Sequence, residues 1–224
     1  MKHLIFARHG NTFRPGETAR RVGRRTDPPL VETERGLSAG ARLLAKGLKP
    51  DRIYAAPLQR TRQTAALILR KMSLDLEIQE SEVFSEIDYG EDENKSEDQV
   101  IERLGRAALA GEGRLAGAGP EDIILRGQKA VELWNSKAVP PPGWPVDPEK
   151  IIGDLRHFAD GVNEGETVLA VSSNGIIRFT PHILRPGDCR AFTAAHNLKV
   201  ATGGLCIFKY ENGSWSVTDW NIKP

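Results

Sequence analysis

Lys2–Thr12, KHLIFARHGNT, joins a strand-length apolar run to an abrupt polar stop. Leu4, Ile5, Phe6 and Ala7 have the length and character of a buried strand. Arg8, His9, Gly10, Asn11 and Thr12 end it. Open α/β sheets gather ligands outside the carboxyl ends of their strands, which makes this end a candidate site. Every residue in it has a use if the ligand is a phosphate. Arg8 offers a planar fork of donors to phosphoryl oxygens. His9 can be neutral near pH 7 and can then attack phosphorus. Gly10 lets the backbone turn and approach a ligand, and Asn11 and Thr12 add polar groups. A surface loop with a solvated histidine would carry the same letters, so the rest of the chain has to decide.

The 224 residues suffice for one large domain or two small ones. Lys plus Arg (31) nearly balances Asp plus Glu (30), so no overall basic field points to nucleic acid or an anionic membrane. At 39% hydrophobic and 27% charged residues, the chain reads as an ordinary soluble globular protein. Cys189 and Cys206 are too few for a disulfide framework and fit a reducing compartment as small core residues. The N-terminal apolar run is too short for a signal peptide and Arg8 interrupts it. No run is long enough to span a bilayer, and the expected location is the cytoplasm.

Phe13 to Arg25 is polar and carries Arg14, Arg20, Arg21, Arg24 and Arg25, a solvated loop or a cationic flap over an anion. Asp27-Pro28-Pro29-Leu30 reads as a stiff turn. Ser38 is a plausible N-cap for a helix to about Leu48. Asp51–Ala56 reads as a second strand, and the helix that follows to Met72 places Arg60 in its first turn. There the positive dipole end makes Arg60 a second candidate clamp for phosphate. Leu76–Gln79 is a candidate third strand. In the acidic run Glu86-Ile87-Asp88-Tyr89-Gly90, a carboxylate beside apolar neighbours can serve as a general acid. Ser96 to Gln99 has the capping-box pattern and opens a helix to about Leu109. Residues 105–119 are rich in Gly and Ala and suggest a loop. A helix over Glu121–Ala138 follows, and the prolines from Pro140 stop it. Residues 91–150 read as a helical insertion covering the site. Asp147-Pro148 starts a helix to about Val162. Thr167–Ser172 is the clearest buried strand and ends in Ser173-Asn174-Gly175 before a helical run. Leu205–Tyr210 and Ser214–Trp220 flank Asn212-Gly213 as a hairpin.

Taken together, these pieces resemble the histidine phosphatase superfamily, the phosphoglycerate-mutase-like family. Arg8-His9-Gly10-Asn11-Thr12 is similar to the family's nucleophile motif. Gly23-Arg24, Asp27, Pro29-Leu30 and Gly36-Leu37 resemble its Gly-Arg, Asp, Pro-Leu-Thr and Gly segment. Pro57-Leu58-Gln59-Arg60-Thr61 with Thr64-Ala65 resembles its Ser-x-Leu-x-Arg-Ala-x-x-Thr-Ala helix. Glu86-Ile87-Asp88-Tyr89-Gly90 resembles its acidic motif. Val171 to Arg178 aligns with its Val-Ser-His-Gly-Gly-x-x-Arg. The resemblance implies a three-layer α/β/α sandwich, a mostly parallel central sheet with a helical cap insertion over 91–150, in one domain over 1–224. It implies catalysis by His9 as the nucleophile that becomes a phosphohistidine, Arg8 and Arg60 as neutralising charges, and Glu86 as the acid. Asn11, Thr12, Gly23, Arg24, Ser173, Asn174 and His196 are the expected substrate-binding residues. No metal and no cofactor are implied, since the arginines do the electrostatic work.

The family's second catalytic histidine falls on Ser173 here, so a cationic imidazole gives way to a neutral hydroxyl. Losing one preorganised donor costs on the order of 10²–10³ in rate in other enzymes. His196 is the first candidate to fill the gap, ahead of His182, Lys199 and Arg178. Pro15 stands near where many relatives carry a phosphate-contacting Asn. The expected activity is hydrolysis of a small phosphomonoester. The alternatives are a phospho-ligand-binding protein that has lost turnover, and a phosphomutase. The expected partner is a small phosphorylated substrate, with neither nucleic acid nor membrane, and the C-terminal hairpin is a possible homodimer edge.

Overall fold

Along β1 (Lys2–Arg8), Leu4, Ile5, Phe6 and Ala7 are all fully buried, and their side chains alternate between two separate cores. Ile5 and Ala7 join one, and Leu4 and Phe6 the other. A strand covered on both faces reads as a continuous apolar run for this reason. The computed structural model describes all 224 residues, Met1–Pro224. In chain order β1 is followed by α1 (Glu34–Ala45), β2 (Arg52–Ala55), α2 (Gln59–Met72) and β3 (Ile78–Glu80). Then come α3 (Glu97–Gly111), α4 (Pro120–Lys137), α5 (Pro148–Asp160) and β4 (Thr167–Ser172). The chain finishes with α6 (Asn174–Ile177), α7 (Pro186–Ala195), β5 (Leu205–Glu211) and β6 (Ser214–Ile222). No helix is long and apolar enough to cross a membrane.

The six strands form one sheet in the order β3-β2-β4-β1-β5-β6. The pairs β1–β4, β2–β4 and β2–β3 are parallel, while β5 and β6 run antiparallel at one edge. On one face, Ala39 and Leu43 of α1 and Ala65, Ile68 and Leu69 of α2 close over Ile5, Ile53 and Leu169. On the other, Leu155 and Ala159 of α5, with Val100, Leu104, Val131 and Trp134 from α3 and α4, belong to the core of Leu4, Phe6, Val168 and Phe208. The fold is a three-layer α/β/α sandwich. Cys189 and Cys206 are free and buried, as expected.

Several boundaries differ from the sequence reading for identifiable reasons. Helix α1 begins at Glu34 after Thr33, ahead of Ser38. Gly36 stays inside it because a Cβ there would stand 2.7 Å from Cβ of Leu67 on α2, so that glycine is an interhelical contact. Helix α3 opens on the expected capping box at Ser96 but runs on to Gly111 through the Gly/Ala-rich stretch. Its Gly105 lies against α4, where a Cβ would be 1.8 Å from the carbonyl oxygen of Ile123. Gly127 of α4 returns the contact, with 1.9 Å to the carbonyl oxygen of Ile101. The strand expected at Leu76–Gln79 is displaced to Ile78–Glu80, and α7 had no counterpart in the periodicity. Asp147 caps α5 by accepting from Lys150 N at 3.0 Å. Asn212 and Gly213, with φ of 53° and 77°, supply the two left-handed residues of the expected hairpin turn.

The two ends of residues 91–150 come together where two glycines meet. A Cβ on Gly90 would stand 2.3 Å from the carbonyl oxygen of Gly143, and both glycines have positive φ. Beside them the buried Asp92 carboxylate accepts from Arg103 Nε at 2.7 Å and from Trp144 Nε1 at 2.8 Å.

Candidate active site

Register decides which residues meet. Arg8 of β1 pairs with Ser172 of β4, and His9 N donates to the Ser172 carbonyl at 3.1 Å. His9 and Ser173 therefore leave the sheet side by side. Thr64 of α2 ties this corner down: its hydroxyl donates to the Arg60 carbonyl at 2.7 Å and accepts from Gly10 N at 3.1 Å. Gly10 is needed for space, since a Cβ would lie 2.8 Å from Glu32 Oε1, and its φ is not in the left-handed region.

His9 is 7% exposed, with Nδ1 2.7 Å from the Gly10 carbonyl oxygen. A carbonyl only accepts, so Nδ1 carries the hydrogen and Nε2 keeps its lone pair. Burial, then the charges of Arg60 and Arg8, hold this imidazole well below the usual histidine range. It is neutral at physiological pH.

Arg60 sits in the first turn of α2 as expected and is fully buried. It donates from Nη1 to the Thr26 carbonyl at 2.9 Å and from Nη2 to the Gly23 carbonyl at 3.0 Å, with Asp27 3.8 Å away. The same Asp27 caps α2 by accepting from Gln59 N at 2.8 Å. Arg8 Nη1 donates to the Val200 carbonyl at 2.5 Å. Both guanidinium groups are pulled below their ordinary value, chiefly by burial. The Nε of each is buried without a protein acceptor, as is the Ser173 hydroxyl.

The Glu86 carboxylate is buried against the start of α6. It accepts from Ile87 N at 2.9 Å, from Gly175 N at 3.3 Å and, at the limit of a hydrogen bond, from the Tyr89 hydroxyl at 3.5 Å. A Cβ at Gly175 would stand 2.0 Å from Glu86 Oε1, so the glycine makes room for the carboxylate. Burial and the neighbouring Glu86 push the Tyr89 phenol far up, which keeps it protonated as a donor. The strand–turn–helix after β4 thus receives the protein's own carboxylate.

A cavity of about 650 Å³ opens over this corner, lined by Arg8, His9, Asn11, Thr12, Glu86 and Asn174 among others. Asn11 Oδ1 accepts from Thr202 at 2.7 Å, and Asn174 Oδ1 accepts from Val200 N at 2.8 Å. Of the cationic loop, Arg14, Arg20 and Arg21 face the cavity. Arg21 is fixed by Glu97 at 2.6 Å and lies over the Trp144 ring. Other expected residues are elsewhere. Arg24 pairs with Glu82 at 3.2 Å and lines a second cavity of about 480 Å³. Gly23 contributes through its carbonyl to Arg60 rather than to the cavity wall. Ser173 is fully buried behind the wall. His196 is exposed outside the cavity, stacked on Phe192 at 4.2 Å with Nδ1 on the Phe192 carbonyl. It does not fill the place beside His9. The residues ranked behind it, Arg178 and Lys199, do line the cavity. So do Tyr89 and Asn135, and Asn135 on α4 carries no local signal that would have found it. No three His, Cys, Asp or Glu side chains converge as a metal site.

A neutral histidine flanked by arginines at the carboxyl ends of parallel strands has known counterparts. The model of the histidine phosphatase superfamily (branch 1) matches residues 4–140, and the chain belongs to that superfamily. It is 30% identical over 194 residues to the 2,3-bisphosphoglycerate-dependent phosphoglycerate mutase of Parvibaculum lavamentivorans, covering 83% of this chain and 80% of that one. The crystal structure of phosphoglycerate mutase from Bacillus anthracis shares the fold at a TM-score of 0.70 and 21% identity, over 98% of this chain and 92% of that one. A mycobacterial glucosyl-3-phosphoglycerate phosphatase superposes at 0.65 with 18% identity, over 99% of each chain.

Proposed function

We propose that the chain is a phosphatase that hydrolyses a small phosphomonoester through a phosphohistidine on His9. One observation carries this reading: the Nδ1–H of a neutral, buried imidazole is committed to a carbonyl, leaving Nε2 as the nucleophile between two arginines with spare donors. Nε2 attacks phosphorus and the bond to the ester oxygen breaks. Glu86, as the carboxylic acid, gives its proton to the departing alkoxide. A water then attacks phosphorus while the Glu86 carboxylate takes its proton, the P–N bond breaks, and phosphate leaves. Arg8 and Arg60 neutralise the phosphoryl oxygens throughout. In this reading Ser173 stands where relatives carry a second histidine, and α3 and α4 form a cap over the cavity.

A second reading is a phosphomutase, favoured by the similarity to 2,3-bisphosphoglycerate-dependent phosphoglycerate mutases. The two differ in what receives the phosphoryl group. Rapid quench with a radiolabelled phosphomonoester should give protein-bound label that survives alkali and is lost in acid, and His9→Ala should remove it. Free phosphate as product supports the phosphatase, and an isomeric phosphate ester supports the mutase. Saturable binding with neither label nor product would leave a phospho-ligand-binding protein. Full hydrolysis by His9→Ala would remove His9 from the mechanism.

A further inference from the structure

Arg178 follows α6 and is 1% exposed. Its Nε donates to the Asn174 carbonyl at 3.1 Å, its Nη1 donates to the Trp134 carbonyl, and its guanidinium carbon lies 3.9 Å over the Trp134 ring. Trp134 is in the last turn of α4, where carbonyls carry the negative end of the helix dipole. Nη2 alone has no protein acceptor, and the side chain lines the same cavity as Arg8, His9 and Glu86. Burial pulls the group down to about 10, which leaves it a cation at neutral pH.

No carboxylate forms an ion pair with Arg178 or Arg8, and Arg60 has only the 3.8 Å contact to Asp27. Charge without a partner is expensive to bury, and an anionic ligand removes that cost. Arg8 and Arg60 act on the neutral His9, and Arg178 lines the same cavity together with one buried carboxylate, Glu86. That excess of positive charge suits the dianion of a phosphomonoester.

We propose that Arg178 is a third guanidinium of the phosphoryl site, binding the substrate's phosphoryl group through Nη2 and supplying the positive charge that the Ser173 hydroxyl cannot. The proposal rests on the phosphatase reading. Arg178 transfers no proton: it stabilises charge on the phosphoryl oxygens while the ester bond breaks.

The test uses the full chain with p-nitrophenyl phosphate as substrate and orthovanadate as inhibitor. Arg178→Gln should lower kcat/KM by about 10²–10³-fold and weaken orthovanadate inhibition in parallel. Arg178→Lys should recover part of both. Ser173→His should raise turnover more in the Arg178→Gln background than in the parent, because it restores a charge only where one is missing. A merely structural arginine would lower the unfolding temperature and leave orthovanadate inhibition at the parental value, which overturns the proposal. If the Gln variant does not fold, a crystal of the parent protein with orthovanadate decides. Nη2 hydrogen-bonded to a vanadate oxygen supports the proposal, and Nη2 directed away from bound vanadate overturns it. A parent that neither hydrolyses the ester nor binds orthovanadate removes the phosphatase reading itself. A parent that does both, matched by Arg178→Gln, removes only Arg178.

Discussion

The strand ends of the sheet and the helical segment over 91–150 build opposite walls of one cavity by different means. At the strand ends, position follows from backbone pairing in the sheet. β1 and β4 pair in parallel register, so His9 and Ser173 emerge together, and Thr64 links the turn at Gly10 to the first turn of α2. In the helical segment, position follows from helix packing on helix. Asn135 and the Trp134 carbonyl face the site because α4 packs on α3 through Gly105 and Gly127. The strand-end wall tolerates little change in chemistry, and the helical wall tolerates little change in packing.

Substitutions can break that contrast. The largest effect is expected at the strand ends. Gly175→Ala places a methyl 2.0 Å from Glu86 Oε1 and should lower kcat by about 10²–10⁴-fold, the range of a displaced general acid. Its unfolding midpoint should change far less than its rate, and a parental kcat would show that the carboxylate is free to move. Next comes the helical wall. Gly127→Val drives a side chain into the Ile101 carbonyl and should cost about 1–3 kcal/mol of stability in urea titration. In this variant KM should rise more than kcat falls.

A smaller effect concerns pH. The folded His9 imidazole sits below its unfolded value of about 6.5, so the unfolded chain binds the extra proton between the two. Stability is therefore lost as pH falls below about 6.5. His3 and His182, also lowered mainly by burial, act with the same sign, so the informative quantity is a difference. His9→Gln should show a shallower fall in urea midpoint than the parent between about pH 7.5 and about pH 5.5. An identical slope would mean that the fold does not lower the proton affinity of His9. The smallest effect is His196→Ala, which should leave kcat and KM unchanged because the ring lies outside the cavity on Phe192.

What was legible in the sequence follows the same division. β1, β4, the capping box at Ser96 and the Asn212-Gly213 turn are short-range patterns, and each forms where the pattern lies. Arg8, His9 and Glu86 reach one cavity, with Arg60 buried beside His9, because each follows or precedes a strand or helix whose place the sheet fixes. The Gly/Ala-rich stretch from residue 105 misled, because Gly105 meets a neighbouring helix and α3 runs on to Gly111. His196 misled because a histidine near the right strands says nothing about which way its ring faces. Arg178 was harder to rank, since its value comes from Trp134, more than forty residues earlier in the chain.

The glycine contact between positions 90 and 143 ties the intervening chain like a bag gathered at its neck. The turn between α3 and α4, where Gly113, Gly117 and Gly119 have nothing within 4 Å, has room for added material. Evolution can therefore retailor what the cavity admits while the strand ends stay as they are. Several threads still run through the neck, and one of them is the carbonyl that steadies Arg178, so a new lining must bring its own acceptor or surrender that cation.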